Sequence, residues 1–168
     1  MKKQLLHSGW QLTTVGKNDT IPATVPGSVY NDLLNAGRME DPYWRDNEMK
    51  ALALMDEDYR YNTTFGVNAD VLNSERVLLR CEGLDTIADI VLNGEKIASV
   101  CNMHRTWEFD VKDSLKTTGN TLEIVFHSPT KYIKEQDKIC HAGGSDEAMV
   151  GFPNLRKAHC MFGWDWGP

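Results

Sequence analysis

Residues 164–166 are Trp-Asp-Trp, with Gly163 and Gly167 on either side. A carboxylate between two indoles, with glycines that permit tight bends, suits the recognition of a sugar. Indole faces pack on the C–H-rich faces of a pyranose, while the carboxylate accepts hydrogen bonds from hydroxyls. The competing reading is a core tryptophan pair, Trp164 and Trp166, beside an exposed turn in which Asp165 bonds its own backbone amides.

Other constellations carry less. Cys140-His141 and His159-Cys160 lack the Cys-x₂₋₄-Cys spacing of structural zinc, and adjacent residues rarely both face one metal, so no metal is expected. Gly143-Gly144 is followed by Ser145-Asp146, with no lysine to meet a phosphate. His104-Arg105 sits beside a strand, where a structural salt bridge to a carboxylate is the expectation. Asp85-Thr86 reads as a turn held by side-chain hydrogen bonds. No cofactor motif is present.

Several blocks resemble, in order, the N-terminal domain of the β-mannosidases of glycoside hydrolase family 2. They are Ile21-Pro-Ala-Thr-Val-Pro-Gly-Ser-Val-Tyr30, Asp41-Pro-Tyr43, Glu82-Gly-Leu-Asp-Thr86, Leu92-Asn-Gly94, Asn102-Met-His-Arg105, and Arg156-Lys157 with Phe162-Gly-Trp-Asp-Trp-Gly-Pro168. The resemblance implies a jelly-roll-like, galactose-binding-like β-sandwich within a larger enzyme. That enzyme would remove terminal non-reducing β-D-mannose from oligosaccharides with retention. It also implies that the loop carrying Asp165, Trp164 and Trp166 reaches the sugar subsite, with Asn154 and Arg156 as further contacts. Either of those two can equally pin the loop to the sandwich. The family's two catalytic glutamates lie on a (β/α)₈ barrel outside this sequence. Asn47-Glu48 copies the family's acid/base pair only superficially, because it falls in an N-terminal loop region. The chain alone is therefore expected to be a fragment, inactive, with no catalytic residue of its own. Three alternatives remain open: a stand-alone carbohydrate-binding module, the same domain of a β-galactosidase or β-glucuronidase, or a purely structural sandwich with no sugar contact.

The elements that would position these residues follow from periodicity. Alternation predicts strands at 10–15, 59–65, 76–82, 86–92, 96–100, 107–111 and 122–126. Asn93-Gly94 is the dipeptide best suited to a two-residue hairpin. Pro22 and Pro26 confine 21–26 to a sheet edge or loop. Ser28 caps a short helix to about Asn35, ended by Gly37. Residues 38–58 read as loop with one weak helical turn. Residues 131–138 allow one or two turns, and 129–168 is otherwise a long irregular segment. Short antiparallel strands without βαβ alternation argue an all-β sandwich. The domain divides into an extension at 1–58, a strand-rich core at 59–128 and the loop segment at 129–168.

The 168 residues, 41% hydrophobic and 25% charged, are those of an ordinary globular domain. A net charge of −6 without a basic run disfavours nucleic acid and anionic membrane as partners. No apolar stretch approaches the roughly 20 residues that span a bilayer. Met1 to Trp10 has no apolar core of a signal peptide, and the four cysteines are widely spaced. They read as reduced thiols in a cytoplasmic protein.

Overall fold

The computed structural model describes residues 2–144 and 149–162. Its main sheet has six antiparallel strands in the order β2-β1-β3-β8-β5-β6, and a second sheet pairs β4 with β7. The strands are β1 (Gln11–Thr14), β2 (Thr20–Pro22), β3 (Tyr59–Phe65), β4 (Leu78–Glu82), β5 (Ile87–Leu92), β6 (Glu95–Cys101), β7 (Thr106–Asp110) and β8 (Asn120–Phe126). Thus β1 and β2, from the first 58 residues, share one sheet with strands from 59–128.

Alternation decides which face is buried. Tyr59, Tyr61 and Thr63 of β3, Ala88, Ile90 and Leu92 of β5, and Leu122 and Ile124 of β8 all lie inside. The second sheet closes over them with buried Cys81 and half-buried Leu79, Trp107 and Phe109. This is the expected sandwich of two packed sheets. The β5–β6 turn has the expected hairpin form: Asn93 and Gly94 have φ of 53° and 84°, both left-handed. Asn93 is held there by its amide, which donates to the Ser114 carbonyl at 2.6 Å. It also accepts from the Thr121 backbone N–H at 2.9 Å. Proline confines β2 to the sheet edge, where only Ile21 is buried.

Four α-helices among the described residues decorate the sandwich. In α1 (Val29–Asn35) the Ser28 hydroxyl caps the Asn31 N–H at 3.3 Å. Its inward face carries Leu33 and also Asp32, both buried. Asp32 accepts from the Tyr61 hydroxyl at 2.8 Å and the Thr24 N–H at 2.9 Å. The weak turn expected in 38–58 is a two-turn helix, α2 (Asn47–Leu54), seated through Ala51. A one-turn helix, α3 (Ala69–Leu72), follows β3.

The segment after residue 128 is more regular than its composition suggests. α4 (Pro129–Ile139) runs for 11 residues, where one or two turns were expected. Ser128 caps the Lys131 N–H at 3.2 Å and Pro129 occupies the first turn. Thr130 and Ile133 are buried beneath an otherwise charged surface, so the helix is anchored by few apolar residues. Gly151 packs on it. A Cβ there would lie 3.0 Å from both Ile133 Cγ2 and Asp137 Cβ, and the φ of 85° is one that glycine adopts cheaply.

Candidate functional site

Because β4 and β7, and likewise β5 and β6, are antiparallel, the turns at 83–86 and 102–105 meet at one end of the sandwich. The chain that leads to the Trp-Asp-Trp motif is fastened there. Asn102 and Arg156 form an isolated parallel bridge, and the Met103 N–H donates to the Arg156 carbonyl at 3.1 Å. The Ala158 N–H donates to Met103 Sδ at 3.0 Å. Lys157 Nζ pairs with the Asp85 carboxylate, and both side chains are largely covered. Leu155 is fully buried beside them.

The platform is itself braced. Trp107 Nε1 donates to the Asn102 carbonyl at 3.1 Å. The Arg105 guanidinium stacks 4.4 Å above the Trp107 ring, so its aromatic partner replaces the carboxylate expected from sequence. Asn102 Oδ1 accepts from the His104 N–H at 2.9 Å. Asp85 also accepts from the Thr86 hydroxyl, as a side-chain-held turn requires.

Of the residues singled out in the sequence, Arg156 and Asn154 lie in this fastened segment. Arg156 pins the loop through its backbone while remaining exposed as a residue. Asn154 Nδ2 is buried, with no hydrogen-bond partner among the described residues. Trp164, Asp165 and Trp166 lie outside the described residues. Sequence reasoning did not pair Lys157 with Asp85, or Ala158 with Met103. The signal available was that both pairs fall in or beside separate blocks of the resemblance.

Removing the ion pair should loosen the fastening without unfolding the sandwich. In Lys157→Ala, hydrogen exchange at the Met103 and Ala158 amides is expected to quicken by about an order of magnitude. Exchange in β3 and β8 should be unchanged.

A second polar cluster bridges elements near the same end. His127 Nδ1 lies 3.1 Å from Asp58 Oδ2, and its Nε2 lies 3.1 Å from Asp89 Oδ2. Asp89 also receives Lys96 at 2.8 Å and the Ser99 hydroxyl at 2.7 Å. Asp58 accepts the Ser128 N–H at 2.8 Å. Partial burial works against charge at all three groups, and the mutual bonds outweigh it. His127 is raised, Asp58 is lowered and Asp89 is held at about 2. Both carboxylates are engaged by the imidazole, so the cluster acts as a clasp joining β5, β8 and the chain before β3.

The sign of its pH dependence follows. A raised histidine stabilises the fold below its ordinary value near pH 6.5, and the contribution is lost as pH rises through the folded value. The lowered aspartates contribute above the ordinary carboxylate range and lose this on acidification. Urea midpoints should therefore fall as pH rises from about 6 through neutrality, and His127→Gln should flatten that fall.

Among the described residues no group of three or more His, Cys, Asp or Glu side chains could hold a metal ion. His141 pairs with Asp137 at 3.0 Å. Asn47 and Glu48 open α2, where Asn47 Nδ2 donates to the Asp41 carbonyl at 3.0 Å. No helix among the described residues is long and apolar enough to cross a membrane.

Comparison with known proteins agrees with this geometry. A family model described as "Glycosyl hydrolase 2 galactose-binding domain-like" matches residues 10–168. The β-mannosidase of Bos taurus is 32% identical over 97% of this chain and 19% of its own length. β-Mannosidase A of Emericella nidulans is 35% identical over 95% of this chain and 17% of its own. The crystal structure of a β-D-mannosidase from Dictyoglomus thermophilum superposes with a TM-score of 0.85 at 36% identity, covering 97% of this chain and 20% of that one. The chain thus spans about a fifth of the length of each.

Proposed function

Since this chain belongs to the glycosyl hydrolase 2 galactose-binding-domain-like family, we propose that it is the N-terminal domain of a larger β-mannosidase. The parent removes terminal β-D-mannose from the non-reducing ends of oligosaccharides, with retention. The observation that carries this reading is the match to β-mannosidases through nearly the whole chain.

The domain's part is to build and hold one wall of the sugar pocket. Residues 155–158 are locked onto the turns at 83–86 and 102–105, which fixes where the chain departs toward the Trp-Asp-Trp motif. Asp165 accepts hydrogen bonds from hydroxyls distant from the scissile bond. Trp164 and Trp166 cover a sugar face, with Asn154 and Arg156 as further contacts. Held contacts of this kind position the glycoside and so act on rate as well as affinity.

Retaining hydrolysis runs on two carboxyl groups about 5–5.5 Å apart, without a metal or organic cofactor. Those groups belong to the rest of the parent. The cysteines at 81, 101, 140 and 160 are free thiols, which supports a reducing, cytoplasmic setting.

The test is hydrolysis of aryl β-D-mannoside by the full-length protein, beside the galactoside and glucuronide, with the first-formed anomer read by NMR. β-Mannose should appear first and the 168-residue chain alone should be inactive. Preference for another glycoside, or the α-anomer as first product, overturns the reading.

A further inference from the structure

Four large apolar side chains stand in the open within ten residues. Tyr43 is 73% exposed, Trp44 63%, Met49 65% and Leu52 55%. The remaining exposed apolar residues are scattered singly along the chain, which needs no explanation. These four are different because the backbone holds them out. Asp41 braces the approach to α2: its carboxylate accepts from the Tyr43 N–H at 2.9 Å, and its carbonyl accepts from the Trp44 N–H at 3.1 Å. α2 is also apolar on two sides. Ala51 is buried and Leu54 packs on the core, while Met49 and Leu52, three residues apart, share an outward face. A helix with a second apolar side, beyond the one packed on the sandwich, is one that further protein can cover.

We propose that the Tyr43–Trp44 loop and the outward face of α2 form the surface on which this domain docks against the remainder of the parent polypeptide. The existence of that remainder rests on the β-mannosidase reading above. Relatives matched over 97% of this chain are about five times its length, so a large mass of protein must seat somewhere on the sandwich. The chemistry of the patch favours protein over glycan. One face of the Trp44 indole is occupied by the Arg45 guanidinium at 5.6 Å, and Met49 and Leu52 offer nothing to hydroxyls. The rim mixes Arg45 and Lys50 with Asp46 and Glu48, as a polar rim around an apolar centre does.

Peroxide footprinting of the full-length protein tests this. Met49 should oxidise at least about tenfold more slowly in the native protein than in urea. Leu52→Asp and Trp44→Asp in the full-length protein should each lower the melting temperature by several degrees. Ile139→Asp, at a still more exposed apolar position, should not. Oxidation of Met49 at the unfolded rate, or equal effects of Leu52→Asp and Ile139→Asp, overturns the proposal. Protection that disappears on dilution, in step with a dimer dissociating in sedimentation, assigns the patch to a second copy and also overturns it. Protection that appears only with added manno-oligosaccharide does the same in favour of glycan. Aryl β-mannosidase activity of the same preparation separates the two readings. Active protein with unprotected Met49 sinks the docking surface alone, and inactive protein with protected Met49 sinks the mannosidase alone.

Discussion

Asp165→Ala in the full-length protein is expected, on the proposed function, to lower kcat/KM on an aryl β-mannoside by about ten- to a thousand-fold, or about 1.4–4 kcal/mol of transition-state binding. The magnitude is that of one or two charge-assisted hydrogen bonds to sugar hydroxyls in a site closed from water. On the proposed role, removing the carboxylate takes an acceptor from those hydroxyls in the transition state, so kcat should fall together with kcat/KM. Trp164→Ala and Trp166→Ala remove apolar cover and should act more through KM. The fastened segment lies just before this motif. Lys157, Ala158 and the Arg156 backbone settle the point of departure before any sugar arrives. Asp165→Ala with wild-type kinetics would make the residue a bond to its own turn and leave the pocket wall to the indoles.

The second large effect is on stability. Asp32→Ala should cost about 3 kcal/mol, because it strands the buried Tyr61 hydroxyl and removes the acceptor of the partly buried Thr24 N–H. Tyr61→Phe should cost about 1.5–3 kcal/mol, since it removes a donor from a buried carboxylate. Burial, and then the hydrogen bond to Asp32, push the Tyr61 phenol far above its ordinary range, so its proton stays in that bond throughout the working pH. The double variant should cost less than the sum, because both single changes break one shared contact. Urea denaturation of the four proteins measures the cycle. Additive losses would mean that the two groups are held independently, by packing alone.

Much of this was legible beforehand, and for identifiable reasons. Period-two alternation survives burial, so β3, β5 and β8 could be read directly. Asn93-Gly94 announced its hairpin because few dipeptides take two left-handed residues in succession. Asp32 was missed. A carboxylate within a short helix reads as surface, and only the fold reveals that Tyr61, 29 positions away, supplies its donor. α4 was underestimated because its charged surface hides an anchor of two buried residues. The site was half legible. The blocks at 82–86, 102–105 and 156–157 were visible one by one, but their meeting at one end of the sandwich depends on strand order, which periodicity does not encode. Asp165, Trp164 and Trp166 rest on chemistry and resemblance, and kinetics is where they will be decided.

Among the described residues the last strand in chain order, β8, lies in the middle of the main sheet between β3 and β5. On the ribosome, β1, β2 and β3 can zip together early, and the β5–β6 hairpin can form by itself. The two halves share no ladder until Asn120–Phe126 emerges. The chain between Phe65 and Asn120 takes on the order of several seconds to translate; β3 presents an unpaired edge throughout, and β5 does so once it has emerged. A nascent chain stalled before residue 120 is thus two half-sheets, open to pairing with neighbouring chains. Completing β8 is the step that joins them into one sheet.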